Sequence, residues 1–281
     1  MSRAGTVRRG ALAVAAAIAA VLCMPQAADA QRPGGAPQAP PSPKQAAVID
    51  ITGHWVALVN EDWRWRMMTA PIGDVSSVPV NPAGLAATKA WDPAKDAAGD
   101  LCKGYGAAGI MSRPTRLNIH WADDDTLQVD LDAGKQTRLF HFQAGTLPAE
   151  ASLQGYSLAN WFKQEQRRGF APPFGGAQPG KGGSLKVVTT HLKASYLRRN
   201  GVPYSEGATL VEFFDRIEDE GNSYLILTSV VKDPKYLRDQ FVTSLQFKLE
   251  PDGSKWNPQP CKVVPPTGTG KTYNAFGRDP E

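Results

Sequence analysis

Cysteine and histidine are scarce: the chain has three cysteines and four histidines in 281 residues. So few cysteines exclude a disulfide-dense scaffold. The histidines, His54, His120, His141 and His191, stand singly, with no His-x-His, His-x3-His or His-Glu-x-x-His spacing. No metal site is therefore expected. Gly-x-Ser-x-Gly is missing, no cysteine sits in a catalytic setting, and no catalytic residue or cofactor is assigned, so the expectation leans away from an enzyme. Charge of one sign is also in short supply. The formal net charge is +4, and half of it comes from Arg3, Arg8 and Arg9 set against Asp29 in the first 30 residues. So weak a balance is no footprint for nucleic acid. Only one long apolar run exists, from Ala11 to Met24, and it is too short to span a membrane.

That run belongs to a leader. Arg3, Arg8 and Arg9 form a positive start, the Ala/Val/Leu stretch follows, and Ala28-Asp29-Ala30 gives the small-x-small pattern that signal peptidase cuts after. Residues 1–30 are thus read as a secretory signal peptide cleaved after Ala30, and the location as periplasmic or extracellular. Leu22 is too bulky for lipoprotein processing at Cys23. Cleavage leaves Cys102 and Cys261, most simply one intramolecular disulfide in an oxidising compartment. An intermolecular bond or a metal-binding thiolate pair are the alternatives.

"TGTGKT" (Thr267–Thr272) looks like the end of a nucleotide-binding P-loop. Such a loop must follow a buried strand and open a helix. Here Pro265 stands where the pattern wants glycine, "NPQPCKVVPP" precedes, and only residues 273–281 follow. No nucleotide is expected, and residues 263–281 read as a disordered tail. Residues 31–47 are rich in Pro, Ala and Gln and read as a disordered linker. Between them, 48–262 has the size of one all-β domain, interrupted by a mobile loop at 167–184.

Nine segments within 48–262 are rich in β-branched and aromatic residues: 53–59, 64–69, 116–121, 126–132, 136–142, 184–192, 208–217, 223–231 and 241–249. "ADDDT" (122–126), "DAGK" (132–135) and "EDEGN" (218–222) read as hairpin turns. The expected fold is all-β, an antiparallel meander closing into a lipocalin-like barrel or a strongly curved sheet, since closure removes exposed edges. One or two helical turns are expected within 81–99, with Pro82 near a helix start.

"DITGHW" (Asp50–Trp55) carries a Gly-x-Trp at the first strand and resembles the opening of lipocalin-like barrels. "EDWRWRM" (Glu61–Met67), "CKGYGAAGIM" (Cys102–Met111) and the run containing "GVPYSE", "VEFFDR" and "DPKYL" (Gly201–Leu237) extend the likeness. With them the chain resembles a family of secreted bacterial proteins of uncharacterised function. That resemblance implies export and a β-rich fold and supplies no catalytic residues.

Candidate ligand-binding residues follow from pattern. Trp55 sits in the opening motif. "EDWRWRMM" alternates, so as a strand it sets Trp63, Trp65 and Met67 on one face and Arg64, Arg66 and Met68 on the other, an aromatic wall and a cationic rim for an anionic or amphiphilic ligand. "LVEFFDRIE" places Glu212 and Arg216 on one mostly apolar face, where a charge needs a partner. Arg216, or an arginine from 64–66, is the expected partner. His191, Tyr196, Arg198, Arg199, Tyr204 and Glu206 gather near a loop and suit a binding rim. If three of these strands line one lumen, Arg66, His191 and Glu212 meet there. The favoured function is binding or carriage of a small, partly apolar molecule in the barrel mouth. The alternatives are a lumen enzyme using His, Glu and Tyr for acid–base chemistry, or an envelope interaction module without a small ligand.

Overall fold

The computed structural model describes residues 39–163 and 183–267. The leader, residues 31–38 of the proposed linker, nearly all of the 167–184 loop and the P-loop look-alike beyond Thr267 lie outside the described residues. The chain divides after Pro40, and every element below belongs to the part that follows.

Nine strands close into a barrel. In chain order they are β1 (Gly53–Leu58), β2 (Arg116–Trp121), β3 (Thr126–Leu131), β4 (Gln136–His141), β5 (Tyr156–Lys163), β6 (Gly183–Thr190), β9 (Thr209–Asp219), β10 (Asn222–Lys232) and β11 (Phe241–Glu250). The pair β7 (Ser195–Tyr196) and β8 (Pro203–Tyr204) makes a separate small ribbon at one rim. β1 pairs antiparallel with both β2 and β11 and so closes the cylinder. The three expected hairpins form β2–β3, β3–β4 and β9–β10.

The meander is not purely antiparallel. β4 and β5 run parallel and are paired at Phe140↔Ser157 and His141↔Leu158. β5 went unread in the sequence because both of its faces are mixed: Ser157, Ala159 and Trp161 turn inward while Leu158 and Phe162 lie exposed. Without a clean two-residue period, the strand signal vanishes.

The expected strand at 64–69 is instead the single-turn helix α1 (Trp63–Met67), with Trp65 and Arg66 amides donating to the Asp62 carbonyl. Six alternating residues fit either structure. Topology decides, because both edges of β1 are already occupied by β2 and β11 and leave the following segment no barrel partner. It joins a cap between β1 and β2 with α2 (Pro82–Lys89), α3 (Pro93–Ala98) and α4 (Ala107–Ile110). The helical turns foreseen in 81–99 are α2 and α3. Each begins with proline after a side-chain cap, Asn81 accepting from the Gly84 amide and Asp92 from the Ala94 amide.

Inward-facing Leu117, Ile119, Leu127, Val129, Phe140, Val187, Phe214, Leu227 and Phe247 fill the cylinder, with Trp55 donating to the Ile51 carbonyl at 2.9 Å. A second apolar cluster, including Leu197, Val202, Tyr204, Leu210 and Phe241, seals the cap onto the barrel end. Cys102 of the cap and Cys261, after β11, form a disulfide with S–S 2.01 Å. No helix among the described residues is long and apolar enough to cross a membrane.

Candidate functional site

The lumen is occupied by protein. Under the cap, Arg138 of β4 and Glu212 of β9 face one another, with Nη1 to Oε1 at 2.9 Å and Nη2 to Oε2 at 2.5 Å. Their side chains are 0% and 1% exposed. Arg138 Nη2 also donates to Thr189 Oγ1, itself 2.8 Å from Ser157 Oγ. The partner of Glu212 is thus neither Arg216 nor an arginine of 64–66. Arg138 stood in an expected strand, but no local spacing marks a partner 74 positions away.

Arg66 and Glu212 do line one cavity, together with Trp65, Arg198 and Ser229, but its volume is only about 30 Å3. That holds a water or two rather than a ligand. His191 is not among the lining residues. It occupies the turn after β6 with φ 56°, where its carbonyl accepts from the Ser152 amide. No hydrogen bond joins His120 or His191 to Glu212 among the described residues, so the geometry sought for lumen acid–base chemistry is not formed.

The other candidates are spread over the molecule. Trp55 and Tyr204 are fully buried in the two apolar clusters. Trp63 is 59% exposed on the cap. Trp65 and Trp63 no longer share a face, because a helix separates neighbours two apart. Arg64 lies 3.9 Å from Asp74. Arg66 is buried, donating to the Ser112 and Leu58 carbonyls at 2.9 and 3.1 Å. Arg216, near the opposite end of the barrel, donates to Glu218, Ser223 and the Asp50 carbonyl. Among the described residues, no group of three His, Cys, Asp or Glu could hold a metal ion.

Outside the lumen, three clefts have similar volumes. One of about 340 Å3 lies at the far barrel end beside Trp121 and Trp161. One of about 290 Å3 lies among Trp91, Tyr196 and the paired Asp96 and Lys103. The third, about 330 Å3, opens where the cap meets the β3–β4 hairpin and the segment after β11. Electrostatics set the third apart. Arg113, Arg116, Arg199 and Lys262 line it, against a single carboxylate, Asp132. Arg116 is committed to Glu250 at 2.9 Å. Asp132 accepts from the Thr115 hydroxyl and the Arg116 amide, both at 2.8 Å.

Tyr105 builds the wall of this cleft. Its ring packs on the β3–β4 turn at Gly134, where a Cβ would come within 2.4 Å of the ring and φ is +78°. Its hydroxyl accepts from the Lys262 amide at 3.1 Å, tying down the segment that follows the disulfide. Arg113 lies over the same ring, 3.8 Å from its centre, and donates to the Gly104 carbonyl at 2.7 Å. Burial is the main cause that pushes the Arg113 guanidinium down to about 10, and the like charge of Arg199 adds to it. Arg199 is also lowered, by burial. Both remain cationic at neutral pH. Arg199 was visible in the sequence as part of the rim loop. Arg113, Tyr105 and Lys262 were not, since no spacing connects three residues brought together by a disulfide and a hairpin turn.

Compared with protein-family models, curated proteins and solved structures, the chain matches none.

Proposed function

We propose that this is a secreted binding protein whose barrel is a rigid scaffold, and that a small, partly apolar molecule occupies the cleft at the cap–barrel junction rather than the lumen. The observation that carries the reading is the rim cleft's lining: where the space under the cap is about 30 Å3, this cleft offers about 330 Å3 and, unlike the other two clefts of its size, gathers four cations against one carboxylate. Ligand pockets generally run from about 300 to 1,000 Å3 and combine apolar walls with a few convergent polar groups. Met67, Tyr105, Pro114, Pro260 and Val264 supply the walls here. Of the residues proposed from sequence, Arg66 then serves through its carbonyl, which accepts from Arg199, and Glu212 by holding the barrel end through Arg138. Export is supported by the leader signature and by the disulfide, which suits an oxidising compartment.

Native mass spectrometry of protein recovered from the periplasm tests this. Wild type should retain a small molecule, and Pro114→Trp, which fills the exposed side of the cleft, should not. A retained mass indifferent to Pro114→Trp would reject the rim as the site. A second reading, an interaction module, draws on Leu139 and Leu158, exposed on the outer faces of β4 and β5. Recovery of wild type with no retained molecule would favour it.

A further inference from the structure

We infer that the rim cleft takes a ligand with one anionic head, a carboxylate or a phosphate monoester, clamped between Arg113 and Arg199. This rests on the reading of the cleft as the ligand site and names the class of molecule it takes. Neither arginine has an ion-pair partner among the described residues. Each commits Nη2 to a backbone carbonyl, Arg113 to Gly104 and Arg199 to Arg66. Nε and Nη1 of both have no protein acceptor among the described residues. Both half-buried guanidiniums line the one cleft, so two like charges face a shared space with donors open to solvent that an anion can take up.

Asp132, the one carboxylate lining the cleft, forms no ion pair with either arginine; its Oδ1 accepts from the Thr115 hydroxyl and the Arg116 amide, and its single charge stands against four cations. The planar guanidinium forks suit a head with two or three oxygens, and stacking on Tyr105 fixes the plane of Arg113 before the ligand arrives. Lys262 at the mouth adds a third positive group. A neutral head of the same size would leave the forks as unmatched as water does, so selectivity should lie in the charge and affinity in both charge and apolar body.

The test uses the full chain as recovered from cells, with octanoate, octyl phosphate and octanol as probes in isothermal titration calorimetry. Octanoate or octyl phosphate should bind wild type, and whichever binds tighter names the head. Charge-assisted hydrogen bonds predict about 10–100-fold weaker anion binding in Arg199→Gln and in Arg113→Gln, with octanol unaffected. Arg199→Lys, which keeps the charge and loses the fork, should restore only part. Raising salt should weaken the anions alone. If Arg113→Gln does not fold by circular dichroism, Arg199→Gln decides.

Octanol binding as tightly as octanoate, with Pro114→Trp abolishing both, would overturn the anionic head and leave the cleft standing. Anion binding unchanged in Arg199→Gln would also overturn the clamp. Failure of every probe to bind wild type, or binding indifferent to Pro114→Trp, would remove the cleft reading and the clamp together.

Discussion

Replacing Glu212 by Gln removes one charge from the most deeply buried ion pair in the barrel while keeping the shape of the side chain. Arg138 and Glu212 are 0% and 1% exposed, so water cannot take over the lost partner's role. Arg138 Nε already lacks an acceptor, and besides the new amide oxygen its guanidinium would keep Thr189 Oγ1 alone among the described residues. Breaking a buried pair by removing one partner costs about 3–5 kcal/mol. The glutamine retains one acceptor oxygen, which places this substitution near the lower end, about 3 kcal/mol. For a domain of this size each kcal/mol moves Tm by about 2–4 °C, so a fall of about 6–12 °C is expected. Urea unfolding of the oxidised protein, followed by tryptophan fluorescence, gives the free energy directly. The double change Arg138→Met with Glu212→Leu removes both charges and should recover most of the loss. Binding in the rim cleft should be unchanged in either variant, since neither residue lines it. A loss below about 1 kcal/mol for Glu212→Gln, or a double variant less stable than either single one, would refute the reasoning.

Non-reducing peptide mapping should show Cys102 linked to Cys261, and replacing both by alanine should cost about 2–5 kcal/mol; two free thiols in periplasmic protein would contradict this. Burial alone would push the Asp74 carboxyl up, but hydrogen bonds from Ser76 and Trp65, with the charge of Arg64, outweigh it and hold the group below its ordinary value. Its contribution to stability is therefore complete above the unfolded value near pH 4 and is lost as pH falls through the lower folded value, so Asp74→Asn should flatten the acid limb of a stability–pH profile, and an unchanged limb would disprove the assignment. Gly201→Ala should destabilise by at least about 1–3 kcal/mol in thermal unfolding, because φ is +80° there and a Cβ would lie 2.1 Å from Trp91 Cγ; a neutral result would show that the rim loop shifts freely.

Local chemistry made much of the barrel legible. β2, β3, β4, β9, β10 and β11 combine β-branched and aromatic residues with turns of Asp, Gly and Asn, and these signals act over a few residues, within the reach of sequence reading. The α2 and α3 starts were legible for the same reason, since a cap and a proline specify a helix start on their own. The disulfide could be read because cysteine number, not geometry, restricts the pairing. Three things were decided only by the tertiary structure. α1 is a helix because β1 has no free edge to offer the segment that follows it. Glu212 chose Arg138 because barrel closure sets β4 and β9 across the lumen from each other, a relation between residues 74 apart that no period encodes. The rim cleft exists because a hairpin turn, a tyrosine and a disulfide bring Arg113, Arg199 and Lys262 to one wall, and electrostatic repulsion between distant parts of a chain leaves no trace in sequence until folding places them side by side.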